Sequence, residues 1–194
     1  MAAEPARQDR ERRGAPTLSV IHPTEASRRT PLAVAIGAAA IFSIAAGSIH
    51  AATIHDQFQE SWLYGISFVA FAVGQIGWGF LAARYPSRPL LLVGLAGNAL
   101  VMVIWALTRM AGAFVGPFAK VAIPVGFPDA FATTLEGLAV VSCVAGLVAS
   151  RSRRTLRRPA AAGVWVTAAA IAVPLATLAI LSQLGVLPSL TPSY

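Results

Sequence analysis

Five long apolar segments dominate the sequence and limit the folds that the chain can adopt. They cover residues 31–54, 62–83, 89–108, 128–150 and 159–187. Each is close to the ~20 residues that an α-helix needs to cross a bilayer. Backbone groups in hydrocarbon must be hydrogen-bonded within the protein, so segments of this length are expected to be helical. The sequence therefore predicts an all-α integral membrane bundle of five transmembrane helices.

The composition excludes the main soluble alternatives. Hydrophobic residues make up 56% of the 194 residues and charged residues only 12%, whereas an ordinary soluble domain carries roughly 25% charged residues. A disulfide scaffold is excluded because Cys143 is the single cysteine. The net charge of +7 comes from short arginine tracts between the apolar segments. A nucleic-acid-binding protein needs a contiguous basic face, so we expect no nucleic-acid partner.

The positions of Lys and Arg predict the orientation of the bundle. Six, two and five of these residues lie in segments that alternating topology puts on one side, namely residues 1–30, 84–88 and 151–158. The other side has only Arg109 and Lys120. Because cytoplasmic loops carry the excess of basic residues, the N-terminus is expected in the cytoplasm and the C-terminus outside. Residues 1–30 are expected to form a disordered cytoplasmic tail, and residues 188–194 an outer tail.

The membrane and its lipids are the first expected partners. One lysine against 14 arginines is typical of a GC-rich bacterial genome, which indicates a bacterial cytoplasmic membrane. Anionic lipid headgroups are expected to bind the basic loop, through Arg151, Arg153, Arg154, Arg157 and Arg158. Glycines on the second and third segments allow close helix contact, either within the chain, in a homo-oligomer or with a partner membrane subunit.

The first segment also has features of a targeting signal. Residues 27–32 resemble a twin-arginine signal, although Pro31 stands where an aromatic residue is usual, and Ala51 and Ala52 would suit a cleavage site. The apolar run is long for a signal peptide, which favours an uncleaved first span. Whether the segment is cleaved stays open.

Polar side chains interrupt the apolar segments where the bilayer makes them costly. A charged side chain near the middle of a span costs about 2.5–3.5 kcal/mol on insertion scales. Residues spaced three or four apart give each of the first four segments one polar face. We expect these faces to line an outward-facing ligand pocket formed by His50, Tyr64, Gln75, Asn98, Trp105, Arg109, Asp129 and Glu136. The fifth segment has no charged residue inside it and is expected to pack on the outside.

Depth along the helices predicts specific pairs. Gln75 and Asn98 both lie ~14 Å from the cytoplasmic ends of their helices, at 1.5 Å per residue. We therefore expect a hydrogen bond between them, of the kind that joins neighbouring helices in lipid. Arg109 and Asp129 both lie at the outer boundary, where an ion pair is expected.

Glu136 is the strongest candidate for a functional residue. It lies ~10 Å deeper than Asp129, and His50 and Trp105 are the nearest donors by depth. Asp129 follows Pro128 at a helix start, where the helix dipole alone favours an acid. Glu136 has no such local explanation, although a purely structural hydrogen bond to His50 or Trp105 stays an alternative.

A metal site is one hypothesis for these residues. Imidazole and carboxylate ligands suit zinc, copper or iron, and the candidates are His50, His55, Glu60 and Glu136. His50 and His55 are five residues apart, which is ~140° on a continuous helix. They converge only if the helix ends between them. Haem is not expected, because a bis-imidazole site requires histidines on facing helices, whereas His50 and His55 lie at the end of the same segment.

No sequence framework assigns a catalytic residue. Neither Gly-x-Ser-x-Gly nor His-Glu-x-x-His occurs, and the cytoplasmic halves of the segments offer no continuous charged path. The leading hypothesis is a small protein that binds a metal ion or small ligand, either alone or as an accessory subunit of a larger membrane complex. Transport or membrane-embedded enzymatic use of the same pocket is the alternative. The apolar loop 109–127 is expected to cover the pocket, lie in the interface or dock on a partner.

The polar residues also carry a resemblance. Their order and spacing resemble those of small multi-pass integral membrane proteins of GC-rich bacteria, a group that is uncharacterised. The resemblance covers roughly residues 45–140 and implies no activity. It is carried by His50-x4-His55-x4-Glu60-x3-Tyr64-Gly65, Gln75, Gly97-Asn98-x6-Trp105-x2-Thr108-Arg109, Gly116-Pro117 and Asp129-x6-Glu136.

Overall fold

Helices account for most of the residues that the structure, a computed structural model, describes, which are residues 28–29, 31–151 and 156–186. Five of them are long and apolar enough to cross a membrane, which confirms the predicted all-α class and supports a multi-pass membrane protein. The predicted orientation is not tested by the fold. The helices are α1 (Pro31–Glu60), α2 (Trp62–Arg84), α3 (Arg88–Met110), α4 (Phe127–Ala149) and α5 (Arg158–Gln183).

Short connections that contain a serine helix cap join α1 to α2 and α2 to α3. Ser61 is the only residue between α1 and α2, and its hydroxyl accepts a hydrogen bond from the Leu63 amide at 3.3 Å. Ser87 begins α3 in the same way, with its hydroxyl 3.5 Å from the Leu90 amide. A serine at this position satisfies an amide that has no partner within the helix. The chain therefore reverses twice with little loop.

The first helix is longer than its apolar segment. The sequence predicted a span over residues 31–54, whereas α1 continues to Glu60. Its 30 residues correspond to about 45 Å, which exceeds the ~30 Å of hydrocarbon. The polar residues 55–60 mark the end of the apolar region and not the end of the helix, because nothing in them breaks the backbone hydrogen bonds. In this extension Asp56 accepts a hydrogen bond from Gln183 at the end of α5.

Helix α1 lies at the centre of the bundle and packs against every other helix. Helices α2, α4 and α5 surround it, while α3 packs mainly against α4. α5 contacts α1 and α4 from the outside, as expected from its lack of internal charge. An apolar cluster joins these three helices around Phe42, Ile49 and Leu135, with alanines of α5 at its edge. The burial of α1 explains why its polar side chains face other helices.

Two ends of the bundle can be distinguished. Strand β1 (Arg28–Arg29) pairs antiparallel with β2 (Leu156–Arg157), so the residues before α1 and those before α5 lie at one end, which we call the basic end. The opposite end carries residues 111–126 and is called the loop end. Most of the predicted disordered tail, the outer tail, and Arg153 and Arg154 of the lipid-binding prediction lie outside the described residues.

Candidate functional site

Four polar side chains form a hydrogen-bonded group inside the bundle. Glu136 on α4 is 1% exposed, and its Oε1 lies 3.0 Å from His50 Nε2 on α1. The same oxygen accepts a hydrogen bond from Gln75 Nε2 on α2 at 2.8 Å. Gln75 Nε2 also lies 3.4 Å from Asn98 Oδ1 on α3. Each of the first four helices thus supplies one buried residue to this group, which we call the polar centre: His50, Gln75, Asn98 and Glu136.

Close packing of α1 and α2 holds Gln75 in the polar centre. A Cβ added to Gly47 would lie 3.1 Å from the Gln75 Cβ and 3.2 Å from the Ala72 carbonyl oxygen, so a side chain there would force the helices apart. One turn away on α1, the Ser43 hydroxyl donates to the Gln75 carbonyl at 3.3 Å. The small residues of α1 therefore set the position of the amide that reaches Glu136.

Aromatic rings of α2 fix the His50 side chain. The imidazole meets Phe68 edge-on with ring centroids 5.3 Å apart, and Phe71 lies 5.7 Å away. These rings follow from the helical spacing of Phe68, Phe71 and Gln75 on one face of α2. They surround the imidazole with apolar surface, which strengthens its hydrogen bond to Glu136 by lowering the local dielectric constant.

The direction of each hydrogen bond follows from the set of partners. Asn98 Nδ2 donates to the Gly94 carbonyl at 2.8 Å, so Oδ1 is the atom that faces Gln75. Gln75 must then present Nε2 to two acceptors. In the remaining bond, His50 Nε2 is the donor when Glu136 is a carboxylate, which only accepts. The Gln75 Oε1 atom is left buried without a hydrogen-bond partner among the described residues.

A second group of polar residues lies nearer the loop end. Arg109 forms the predicted ion pair with Asp129, whose carboxylate also accepts from the Gly126 amide at 3.3 Å at the start of α4. The Arg109 guanidinium lies 5.6 Å from the Trp105 ring centre. Two donors here, Trp105 Nε1 and Arg109 Nε, are buried without a partner among the described residues. Trp105 therefore does not supply the bond to Glu136 that depth alone allowed.

The loop between α3 and α4 folds back onto α2. The Tyr64 hydroxyl donates to the Val115 carbonyl at 2.8 Å and accepts from the Phe118 amide at 3.3 Å. The two rings stack with centroids 6.3 Å apart. Gly116 has φ +89°, and a Cβ there would lie 2.8 Å from the Tyr64 hydroxyl. The loop is therefore attached to α2 through Tyr64, while its predicted position over the pocket, in the interface or on a partner stays a prediction.

Apolar side chains close the bundle between the polar centre and the basic end. Trp78 and Leu91 pack together here with Ile36 and Cys143. The one polar atom of the Trp78 side chain, Nε1, donates a hydrogen bond to the Leu90 carbonyl at 2.8 Å and is not available to a ligand. In the described part of the chain, the buried polar side chains therefore lie at the level of the polar centre or nearer the loop end.

The four predicted metal ligands do not come together. His50 and Glu136 are in contact, whereas His55 and Glu60 are exposed on the last turns of α1. Because α1 is continuous through both histidines, their side chains point in different directions, ~140° apart. Among the residues that the structure describes, no group of three or more His, Cys, Asp or Glu side chains could hold a metal ion.

The predicted ligand pocket is thus divided into three parts. His50, Gln75, Asn98 and Glu136 meet in the polar centre, Trp105, Arg109 and Asp129 meet nearer the loop end, and Tyr64 holds the loop. Sequence reasoning missed the direct bond from Gln75 to Glu136. Depth did not indicate this bond, because Gln75 lies about one helical turn nearer the basic end than Glu136 does. The signal that could have found it is Gly47, which lets α1 and α2 pack closely beside Gln75.

Comparisons of the chain with protein-family models, with curated proteins and with solved structures found no match. A fold by itself carries no function, and five membrane-spanning helices occur in proteins of many kinds. The function of this protein has to be inferred from the chemistry of the polar centre and of the residues between it and the loop end.

Proposed function

We propose that this small multi-pass membrane protein binds a small polar ligand between the polar centre and the loop end. The observation that carries the proposal is a set of three buried polar atoms without partners among the described residues, namely Gln75 Oε1, Trp105 Nε1 and Arg109 Nε. Leaving a buried donor or acceptor unpaired costs about 1–3 kcal/mol, and native proteins rarely do so. A ligand that pairs with these atoms explains their placement.

Binding from one side fits the chain better than transport. Apolar side chains around Trp78 and Leu91 close the bundle towards the basic end, so a polar solute would lose its hydrogen bonds on that route. Towards the loop end, by contrast, Trp105 and Arg109 continue the line of polar groups. We therefore propose that the ligand enters from the loop end, and that this end faces outwards, as the distribution of arginines predicts.

A metal ion is not part of this proposal. A zinc site takes three or four protein ligands, whereas of the four predicted ligands only His50 and Glu136 are in contact in the described structure. An enzymatic role would need a nucleophile or an activated water next to a base. The buried hydroxyls beside the polar centre, those of Ser43 and Thr53, both donate to backbone carbonyls, so binding is the simpler role.

Native mass spectrometry of protein extracted gently from membranes tests the proposal. The wild type is compared with Glu136→Gln and with Val141→Ala, a control on the same helix whose side chain is 65% exposed. We expect the wild type and the control to carry an additional small mass that Glu136→Gln loses. Elemental analysis of the same samples checks that this mass is not a metal ion. If all three proteins retain the additional mass equally, binding at the polar centre is contradicted. It is also contradicted if the wild type carries no additional mass and no small polar probe stabilises it.

A further inference from the structure

We infer that the ligand is a small zwitterion with a protonated amine directed at Glu136 and Gln75 and a carboxylate directed at Trp105 and Arg109. The inference rests on the proposed function and specifies the chemical class of its ligand. It follows from which hydrogen-bonding atoms the side chains of the site have already used and which remain free.

Two acceptors of the polar centre make no hydrogen bond to the described residues, and these define the group that it can bind. His50 Nε2, Gln75 Nε2 and Asn98 Nδ2 all donate to protein atoms. Both hydrogen bonds to Glu136 fall on Oε1, which leaves the other carboxylate oxygen, Oε2, together with Gln75 Oε1. An ammonium group has three donors and no acceptor, and a carboxylate beside it gives the stronger, charge-assisted form of hydrogen bond. A protonated amine is therefore the matching group.

Two donors nearer the loop end are buried without a hydrogen-bond partner among the described residues. An indole nitrogen is a donor only, as is every nitrogen of a guanidinium. The two other nitrogens of Arg109 already donate to Asp129 and, at 3.4 Å, to the Thr108 hydroxyl, so Nε is the one that remains. Trp105 Nε1 also has no partner among the described residues. A carboxylate, which only accepts, matches both atoms.

The spacing of the two groups suits a short molecule. Arg109 and Asp129 are paired and so lie at one level. From this level Trp105 is four residues along α3 and Glu136 is seven residues along α4, so the two differ in depth by only about 5 Å.

Ligand-dependent thermal unfolding of the full-length protein in lipid nanodiscs tests the inference. The probes are glycine, 3-aminopropionate and 4-aminobutyrate, together with propionate and propylamine, which each lack one charged group of 3-aminopropionate. A ligand that binds only the folded state raises the unfolding temperature with concentration. We expect at least one aminocarboxylate to bind about tenfold or more tightly than propionate or propylamine.

Two variants separate the carboxylate contact from general stability. Trp105→Phe removes the indole donor and is expected to reduce binding of the best aminocarboxylate to the level of propylamine, without changing propylamine binding. Trp62→Phe is the matched control, because Trp62 is 64% exposed, and it is expected to bind like the wild type. The probe comparison on the wild type decides the amine requirement even if Trp105→Phe does not fold.

The outcomes distinguish this inference from the proposed function. If propionate binds as tightly as the aminocarboxylates, or if Trp105→Phe keeps the wild-type preference, the ligand class is wrong while ligand binding stands. If none of the five probes binds but the wild type carries an additional mass, the ligand class is again wrong. If no probe binds and the wild type carries no additional mass, both the inferred ligand class and the proposed ligand binding are wrong.

Discussion

At the scale of single residues, the His50–Glu136 bond is the interaction whose removal should be most costly. Glu136 is 1% exposed, so the loss of His50 leaves a buried carboxylate with Gln75 as its one remaining donor among the described residues. We expect His50→Leu to lower the free energy of unfolding by roughly 3 kcal/mol, at the low end of the range for breaking a buried pair. Reversible unfolding in mixed detergent micelles measures this value.

The double variant provides the decisive comparison. His50→Leu combined with Glu136→Leu removes both partners and places apolar side chains in an apolar environment, so its cost should be clearly less than the sum of the single costs. His55→Leu is the control on the same helix, since His55 is exposed, and should change stability by less than ~0.5 kcal/mol. Additive single effects would mean that His50 and Glu136 contribute independently.

Several contacts of single residues were predictable from depth and helical spacing. Gln75 with Asn98 and Arg109 with Asp129 were expected at matching depths, and both pairs are present. Depth alone did not distinguish His50 from Trp105 as the donor to Glu136, because it says nothing about which helices lie side by side. That choice depends on α1 being central, which no single residue of the sequence reveals.

At the scale of an element, one tyrosine holds the loop that follows α3. Tyr64→Phe keeps the ring stacked on Phe118 but removes the hydroxyl that bonds Val115 and Phe118. With two hydrogen bonds lost at roughly 0.5–1.5 kcal/mol each, we expect amide hydrogen exchange in residues 113–121 to become about 5- to 150-fold faster. Exchange measured by mass spectrometry in nanodiscs follows this segment directly.

The matched control for the loop is Tyr85→Phe. Tyr85 is 56% exposed in the turn after α2, so removing its hydroxyl should leave exchange in residues 113–121 at the wild-type rate. If Tyr64→Phe also leaves that rate unchanged, the loop is held by its glycine turns and its own backbone bonds, such as Ile123 amide to Thr108 carbonyl at 3.2 Å, and not by α2.

The length of α1 shows where prediction at this scale fails. Hydropathy locates the end of the apolar segment near residue 54, but a helix ends where its backbone hydrogen bonds end. The signal for the true end is the cap at Ser61, which directly follows Glu60. The assumed break between His50 and His55 was the condition for the predicted metal site, so the longer helix also explains why its ligands are apart.

At the scale of the whole molecule, the polar groups are distributed unequally along the bundle. The polar centre and the Arg109–Asp129 pair lie from the middle towards the loop end, while apolar packing fills the side towards the basic end. The alternation of five helices was predictable from the apolar segments. The concentration of polar groups towards the loop end was only partly predictable, because it depends on which residues of each helix face the interior.

The orientation of the molecule decides from which side of the membrane the ligand arrives, and cysteine labelling in intact bacterial cells can measure it. Val115, in the loop, and Tyr85, at the basic end, are both exposed and can each be replaced by cysteine in a Cys143→Ser background. Because the basic residues predict a cytoplasmic basic end, a membrane-impermeant maleimide should label Val115→Cys in intact cells. It should label Tyr85→Cys only after permeabilisation, and the cysteine-free protein in neither case.

The reverse pattern would put the loop end in the cytoplasm and require that the ligand comes from inside the cell. Because the polar centre is closed towards the basic end in either orientation, the labelling decides the source of the ligand without altering the proposal that it binds there.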